Sequence, residues 1–333
     1  MEFWLDIAAF ALKALLIVAA IGAAVAAIAI AARGKGAPEE SAIRFASLDE
    51  RNELAESSFN DLVLDKKARK ALAKQRKRES KEREGEDRKR VFVLSFKGDM
   101  GASAVGRLAE QMSAVLRVAR PGVDEIALRI HSPGGSVTGY GHAAAEIARA
   151  GEHGVATTAC VDEVAASGGY MMACAAQKIV AAPFAMLGSI GVVAQAPNFN
   201  RLLKRADIDY EEFAAGEHKR SVTIFGENTE AGRAHMREKV EAIHVAFRDW
   251  VVTRRPGLDI NAVGNGDHWI GTEAKKLGLV DELMTSEEFL FRLRDTADLI
   301  EVTSEEKGSL LAQVRKAIGV GARIASAVTK LRQ

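Results

Sequence analysis

Ser167 stands in Val164-Ala165-Ala166-Ser167-Gly168-Gly169-Tyr170, between a β-favouring run and an apolar run that reads as a helix. A serine hydroxyl is a poor nucleophile at neutral pH. An enzyme that uses one must bring it a proton acceptor and supply hydrogen-bond donors to the oxyanion that develops. The junction can supply the donors: Gly168 and Gly169 permit a tight turn, and a helix start leaves backbone N–H groups free for negative charge. The Gly168 N–H is the first candidate. A second lies in His131-Ser132-Pro133-Gly134-Gly135, where the strand Ile126–Ile130 ends in glycines that let backbone approach a ligand closely. Gly135 is the donor expected there, with Gly134 the neighbouring possibility. Taken alone, the same stretch also reads as an ordinary strand-to-helix turn.

The proton acceptor is harder to read. The chain has seven histidines, and His131 and His218 lie beside the candidate motifs, but lone histidines near glycines are more often solvated or core residues. Lys219, in Gly216-Glu217-His218-Lys219-Arg220, is the other choice. A lysine must be neutral to take a proton, and with a free pKa of ~10.4 only roughly one in a few thousand is neutral at pH 7. Burial would have to remove that difference. Ser189, in Gly188-Ser189-Ile190-Gly191, could hold the amine by a hydrogen bond. Without other information Lys219-Arg220 reads equally as a surface pair.

These residues need a frame, and from Val91 the pattern is strand–helix alternation. Strands are expected at 91–96, 126–130, 155–161, 178–182, 190–193 and 279–283, and helices at 105–118, 140–149, 168–176, 229–252 and 272–277. Repeated βα units argue for parallel sheet covered by helices, an α/β fold.

Several of these motifs, in this order, resemble one family. Arg129 through Gly135, Asp162 through Met172, Gly188 through Val193 and Gly216 through Arg220 are similar to the signal peptide peptidase A family of Ser-Lys peptidases. Ala194-Gln195-Ala196-Pro197-Asn198-Phe199-Asn200, Gly226-Glu227-Asn228-Thr229, Trp269-Ile270-Gly271 and Gly278-Leu279-Val280-Asp281 point to its SohB subgroup. The resemblance spans residues 91–285. It implies a ClpP/crotonase-like fold of repeated β-β-α layers, Ser167 as nucleophile, Lys219 as general base, Gly135 and Gly168 as oxyanion donors, and Ser189 as the hydroxyl that orients the lysine. It also implies peptide or protein substrates, a homo-oligomer, and a dyad that can form within one protomer or between two. Arg220 stands where many relatives carry an acidic residue.

Ala14 through Ala32 is an apolar or glycine run of 19 residues, about 28 Å as a helix against a hydrocarbon core of ~30 Å. The acidic start, Glu2 and Asp6, lacks the basic region of a cleaved signal peptide, so an uncleaved single-pass anchor in a bacterial cytoplasmic membrane is expected. Arg33, Lys35 and Arg44 after it would keep the large domain cytoplasmic. The family resemblance favours the extracytoplasmic face, and the reading leans that way. The expected organisation is an anchor at 1–34, a charged spacer at 35–90, a Ser-Lys peptidase domain at 91–300, and a basic amphipathic helix at 301–333.

The run Lys66–Arg90 has no aromatic residue for base stacking and the whole chain carries a net charge of only +1, so nucleic acid is not an expected partner; a lipid bilayer is. Two cysteines, Cys160 and Cys174, read as small buried hydrophobes, and no Cys/His spacing suggests a metal. No nucleotide-binding glycine motif occurs, and no cofactor is expected. Two other classes use the same features: a crotonase-like acyl-CoA enzyme, which would not need Lys219, and a catalytically silent membrane scaffold.

Overall fold

The structure, a computed structural model, describes residues 42–83, 87–216 and 218–305. Contacts gather Ile43–Thr303 into one compact unit. Strand β1 (Ala42–Ser47) is followed by two helices, Leu48–Val63 and Lys66–Arg83. Then come β2 (Lys89–Lys97), the helix Val105–Val118, β3 (Glu125–His131), the helix Val137–Glu152 and β4 (Ala156–Val161). Two short strands, β5 (Val164–Ala166) and β7 (Met186–Gly188), flank the helix Gly168–Ala173 and β6 (Lys178–Ala181). After the helices Asn200–Arg205 and Glu230–Arg254, the chain closes through β8 (His268–Ile270), β9 (Glu282–Leu283), the helix Ser286–Leu293 and β10 (Ala297–Glu305).

The large sheet has seven strands in the order β1-β10-β2-β3-β4-β6-β9, and every pair from β10 to β9 is parallel. Alternate side chains point to opposite faces of a strand, and a parallel sheet is covered on both. Phe92, Leu94, Phe96, Ile126, Leu128 and Ile130 meet Leu108, Met112, Tyr140 and Ile147 of the helices on one face. Val91, Val93, Ala127, Cys160 and Val180 meet Leu48, Phe289 and Leu290 on the other. Each large apolar side chain so buried contributes about 1.5–3 kcal/mol. The helix Lys66–Arg83 has almost nothing of this kind to offer, and its residues with described side chains are mostly exposed.

The small sheet, β5-β7-β8, decides where Ser167 sits. Ser132 bridges onto Ala165 in parallel, so the end of β3 runs directly into β5. The carboxyl ends of β3, β5 and β7 therefore come together, and ligand crevices in α/β folds form at such ends.

Several expected elements differ. Ile190–Val193 is not a strand: the ladder ends at Gly188 (φ +101°), Ser189 also has positive φ (53°), and the chain turns out of the sheet. The helix after Ser167 ends at Ala173, and the last strand of the 279–283 stretch is only Glu282–Leu283. Residues 301–305, expected at the start of a terminal helix, belong to β10, and β1 lies inside the stretch expected as spacer. The apolar run 14–32 and the amphipathic stretch 309–333 lie outside the described residues; among those described, no helix is long and apolar enough to cross a membrane. Cys160 and Cys174 are buried, and burial pushes both thiols up to about 12.

Candidate active site

Ser167 occupies the single residue between β5 and the helix Gly168–Ala173, with φ 51° and ψ −120°. That conformation is costly for a residue with a Cβ, by about 1–3 kcal/mol, and persists only where surrounding structure enforces it. The enforcement is visible. The Ser167 N–H donates to the Gly188 carbonyl at 2.8 Å, and the Met171 N–H donates to the Ser167 carbonyl at 2.9 Å. On the other side a Cβ built on Gly134 (φ +91°) would fall 2.7 Å from Ser167 Cβ and 2.8 Å from Gly168 N, so only glycine fits against the serine. Ser167 is part-exposed, and its hydroxyl has no hydrogen-bond partner among the described residues.

The Ser-Pro-Gly-Gly loop settles which of its glycines is free. Ser132 is locked to β5 by its N–H to the Val164 carbonyl (2.8 Å) and its carbonyl to the Ala166 N–H (3.0 Å). The Gly134 N–H donates to Ser132 Oγ at 3.1 Å and is occupied. The N–H groups of Gly135 and Gly168 have no partner among the described residues. Gly135 is pressed against the preceding turn: a Cβ there would lie 2.4 Å from the Met100 carbonyl oxygen, which already accepts from the Ser136 N–H.

Ser189 lies beside Ser167 because Gly188 is paired with Ala166. Its own N–H donates to the Asp267 carbonyl at 2.6 Å, and a Cβ on Gly188 would strike the Trp269 ring at 2.7 Å. Asp267 and Trp269, which hold this turn, were assigned no role from the sequence. Only the Trp269-Ile270-Gly271 motif carried a signal for either of them.

Lys219 is placed differently. It is exposed, in a turn closed by its N–H on the Gly216 carbonyl (3.0 Å), and no hydrogen bond joins its amine to Ser167 or Ser189. The His218 ring stacks on His235 at 4.0 Å, and Arg220 reaches Glu212 at 3.4 Å. The arm that carries this turn is ordered by its asparagines. Asn198 Nδ2 donates to the Thr223 and Gly226 carbonyls, Asn200 Nδ2 to Phe225 and Asn228 Nδ2 to Thr223. It is also uncovered: Val193, Leu202, Ile208 and Phe213 are exposed, Phe213 to 92%. Among the described residues no group of His, Cys, Asp and Glu could hold a metal.

Comparison with known proteins bears on the whole arrangement. "Probable protease SohB" of Haemophilus influenzae is 48% identical over 228 residues, covering 68% of this chain and 64% of that protein. Its namesake in Buchnera aphidicola subsp. Acyrthosiphon pisum is 46% identical over 65% of this chain and 64% of that protein. The chain thus spans slightly under two thirds of the length of these relatives. Among solved structures, ClpP1 from Listeria monocytogenes is 14% identical, with 61% of this chain and 94% of that chain covered and a TM-score of 0.38, a likeness too low to argue from. The profile of "Peptidase family S49 N-terminal" matches residues 2–147 and that of "Peptidase family S49" matches residues 150–300. On these two adjoining matches, the chain belongs to peptidase family S49.

Proposed function

We propose that the protein is a membrane-tethered serine endopeptidase in which Ser167 attacks the peptide carbonyl and Lys219 takes and returns the proton. The observation that carries this is the strained Ser167, followed directly by Gly168 and packed against Gly134, with the Gly168 and Gly135 N–H groups without a partner among the described residues. Two such donors are what a tetrahedral oxyanion requires, and each is worth about 2.7–4 kcal/mol of barrier. Ser189, one residue beyond the strand paired to β5, is the hydroxyl that orients the lysine. The alternation of β4 with β5 and of β6 with β7 between two sheets supports the ClpP/crotonase-like reading of the fold. The apolar run 14–32 supports a bacterial cytoplasmic-membrane anchor; the family resemblance, against the basic residues that follow the run, leans the catalytic domain to the extracytoplasmic face. Substrates are then membrane-associated or signal-peptide-derived peptides.

A lysine base works from a desolvated amine, so the exposed Lys219 must be covered before it can act. The uncovered apolar arm beside it supports completion of the dyad by association with another copy of the chain. Mixing tests this. Ser167→Ala and Lys219→Ala proteins, each inactive on a peptide substrate, should regain up to about a quarter of wild-type turnover when co-assembled in equal amounts, because each mixed interface can pair one intact serine with one intact lysine. Activity in Lys219→Ala alone rejects the base assignment. Turnover of a CoA thioester in place of peptide favours the acyl-CoA reading.

Gly134→Ala tests the oxyanion loop. The added methyl meets backbone on two sides at 2.8 Å and cannot be accommodated by a side-chain rotation. A displacement of about 1 Å in the loop should lower kcat ~10²-fold. Steady-state kinetics that leave kcat at the wild-type value would remove this loop from the reaction centre.

A further inference from the structure

We propose that Tyr140 is a positioning residue for the oxyanion site, acting through Ser132 on the Gly134–Gly135 loop and through its ring on Gly168; this rests on the serine-peptidase reading. Behind the loop three groups form one directed hydrogen-bond chain. The Gly134 N–H donates to Ser132 Oγ (3.1 Å), Ser132 Oγ lies 2.6 Å from Tyr140 Oη, and Tyr140 Oη lies 2.8 Å from the Asp99 carbonyl oxygen. A carbonyl only accepts, so the Tyr140 proton goes to Asp99. The Tyr140 oxygen must then accept from Ser132. Ser132, its own proton committed, accepts from Gly134. One carbonyl, two residues beyond β2, therefore fixes the direction of every bond up to the loop.

The chain is sealed. Ser132 and Tyr140 are both 0% exposed, so no solvent competes for their hydroxyls, and burial pushes the phenol up and keeps it protonated. Gly98 leaves the space they fill: a Cβ there would lie 2.3 Å from both oxygens. The same Tyr140 ring closes on the other donor, since a Cβ on Gly168 would lie 2.4 Å from ring atom Cγ. A single side chain thus touches both loops whose free N–H groups, Gly135 and Gly168, face no partner in the described chain. With the Gly134 N–H held by Ser132, the loop has one orientation and not two.

Tyr140→Phe keeps the ring against Gly168 and removes the end of the chain, leaving Ser132 Oγ without its acceptor. In the full-length protein acting on a peptide substrate, kcat should fall ~10–100-fold with KM changed less than about threefold, the pattern of a loss felt only in the transition state. Affinity for a peptide boronate, which forms a tetrahedral adduct on the serine, should fall by the same factor. The thermal midpoint should stay within a few degrees of wild type. Ser132→Ala should give a comparable loss. The double variant should lose no more than the worse single, because both interrupt one chain. Wild-type kcat and boronate affinity in Tyr140→Phe would overturn the proposal. So would a rate loss fully matched by fewer titratable active sites, which is what a purely structural role predicts. If the wild-type protein shows no hydrolysis that depends on Ser167, the peptidase reading itself fails and this role falls with it.

Discussion

Replacing Ser167 with glycine is expected to abolish peptide hydrolysis and at the same time raise the stability of the fold. The first effect is the loss of the attacking oxygen, which in serine peptidases costs about 10⁴-fold or more in kcat. The second comes from the backbone. Ser167 sits at φ 51° and ψ −120°, where a Cβ is unfavourable by about 1–3 kcal/mol. Glycine relieves that cost but adds chain entropy to the unfolded state worth about 0.5–1 kcal/mol, so a net gain of roughly 1 kcal/mol is left. In a unit of this size that is a rise of about 2–4 °C in Tm. Ser167→Ala is the control: it loses the hydroxyl, keeps the Cβ, and should unfold close to wild type. Calorimetry on the three proteins reads the difference directly. A glycine variant less stable than the alanine variant would show that the junction does not hold the serine against its preference.

The largest loss of stability is expected far from the reaction centre, at Asp124. Its carboxylate is fully buried between Arg90 and Arg120. It accepts from the Arg90 N–H (2.9 Å) and Arg90 Nη2 (2.6 Å), and from the Arg120 N–H (2.8 Å) and Arg120 Nη2 (2.7 Å). Burial alone would raise its pKa; the bonds from Arg120 and Arg90 outweigh that and hold it well below the usual carboxylate range. Asp124→Asn leaves Arg90 without its carboxylate and Arg120 with Asp87 alone. Breaking a buried pair costs 3–5 kcal/mol, and because both arginines keep some contact with water the lower end, ~3 kcal/mol, is expected. The pH dependence has a definite sign. A carboxylate whose folded pKa is depressed contributes stability above its unfolded value, near 3.9, and loses it as pH falls toward the folded value. Urea unfolding should therefore show the full gap between wild type and Asp124→Asn at pH 7 and a narrowing gap below about pH 4. A gap that stays constant down to pH 2 would mean that ionisation of Asp124 is not what the arginines bind.

Much of the frame was legible because it follows from short-range rules. The helix expected at 105–118 forms over those residues, and the strands expected at 91–96 and 126–130 form with one residue or two more at their ends. Their apolar residues are continuous enough to be buried on both faces, and that pattern lies in the chain itself. Strands held by few partners were less legible. Val192 and Val193 have β-favouring side chains, yet Gly188 and Ser189 turn the backbone away before them. β1 and the end of β10 became strands because a sheet edge was available, which no local pattern announces.

The same division runs through the site. Ser167, Gly168, Gly135 and Ser189 stood out as candidates because strand ends, glycines and a helix start follow one another in the sequence, and the resemblance to a family implied roles for them. Read alone, the chain determined that a serine would stand at a strand-to-helix junction with two glycines directly after it, since backbone freedom and helix N–H groups are local properties. Only the tertiary structure decided that the Gly134 N–H is taken and the Gly135 N–H free, because Ser132, Tyr140 and Asp99 meet only when β2, β3 and the helix Val137–Glu152 pack together. It also placed Lys219 on an uncovered arm, a fact of solvent exposure that depends on what the rest of the molecule does and does not cover.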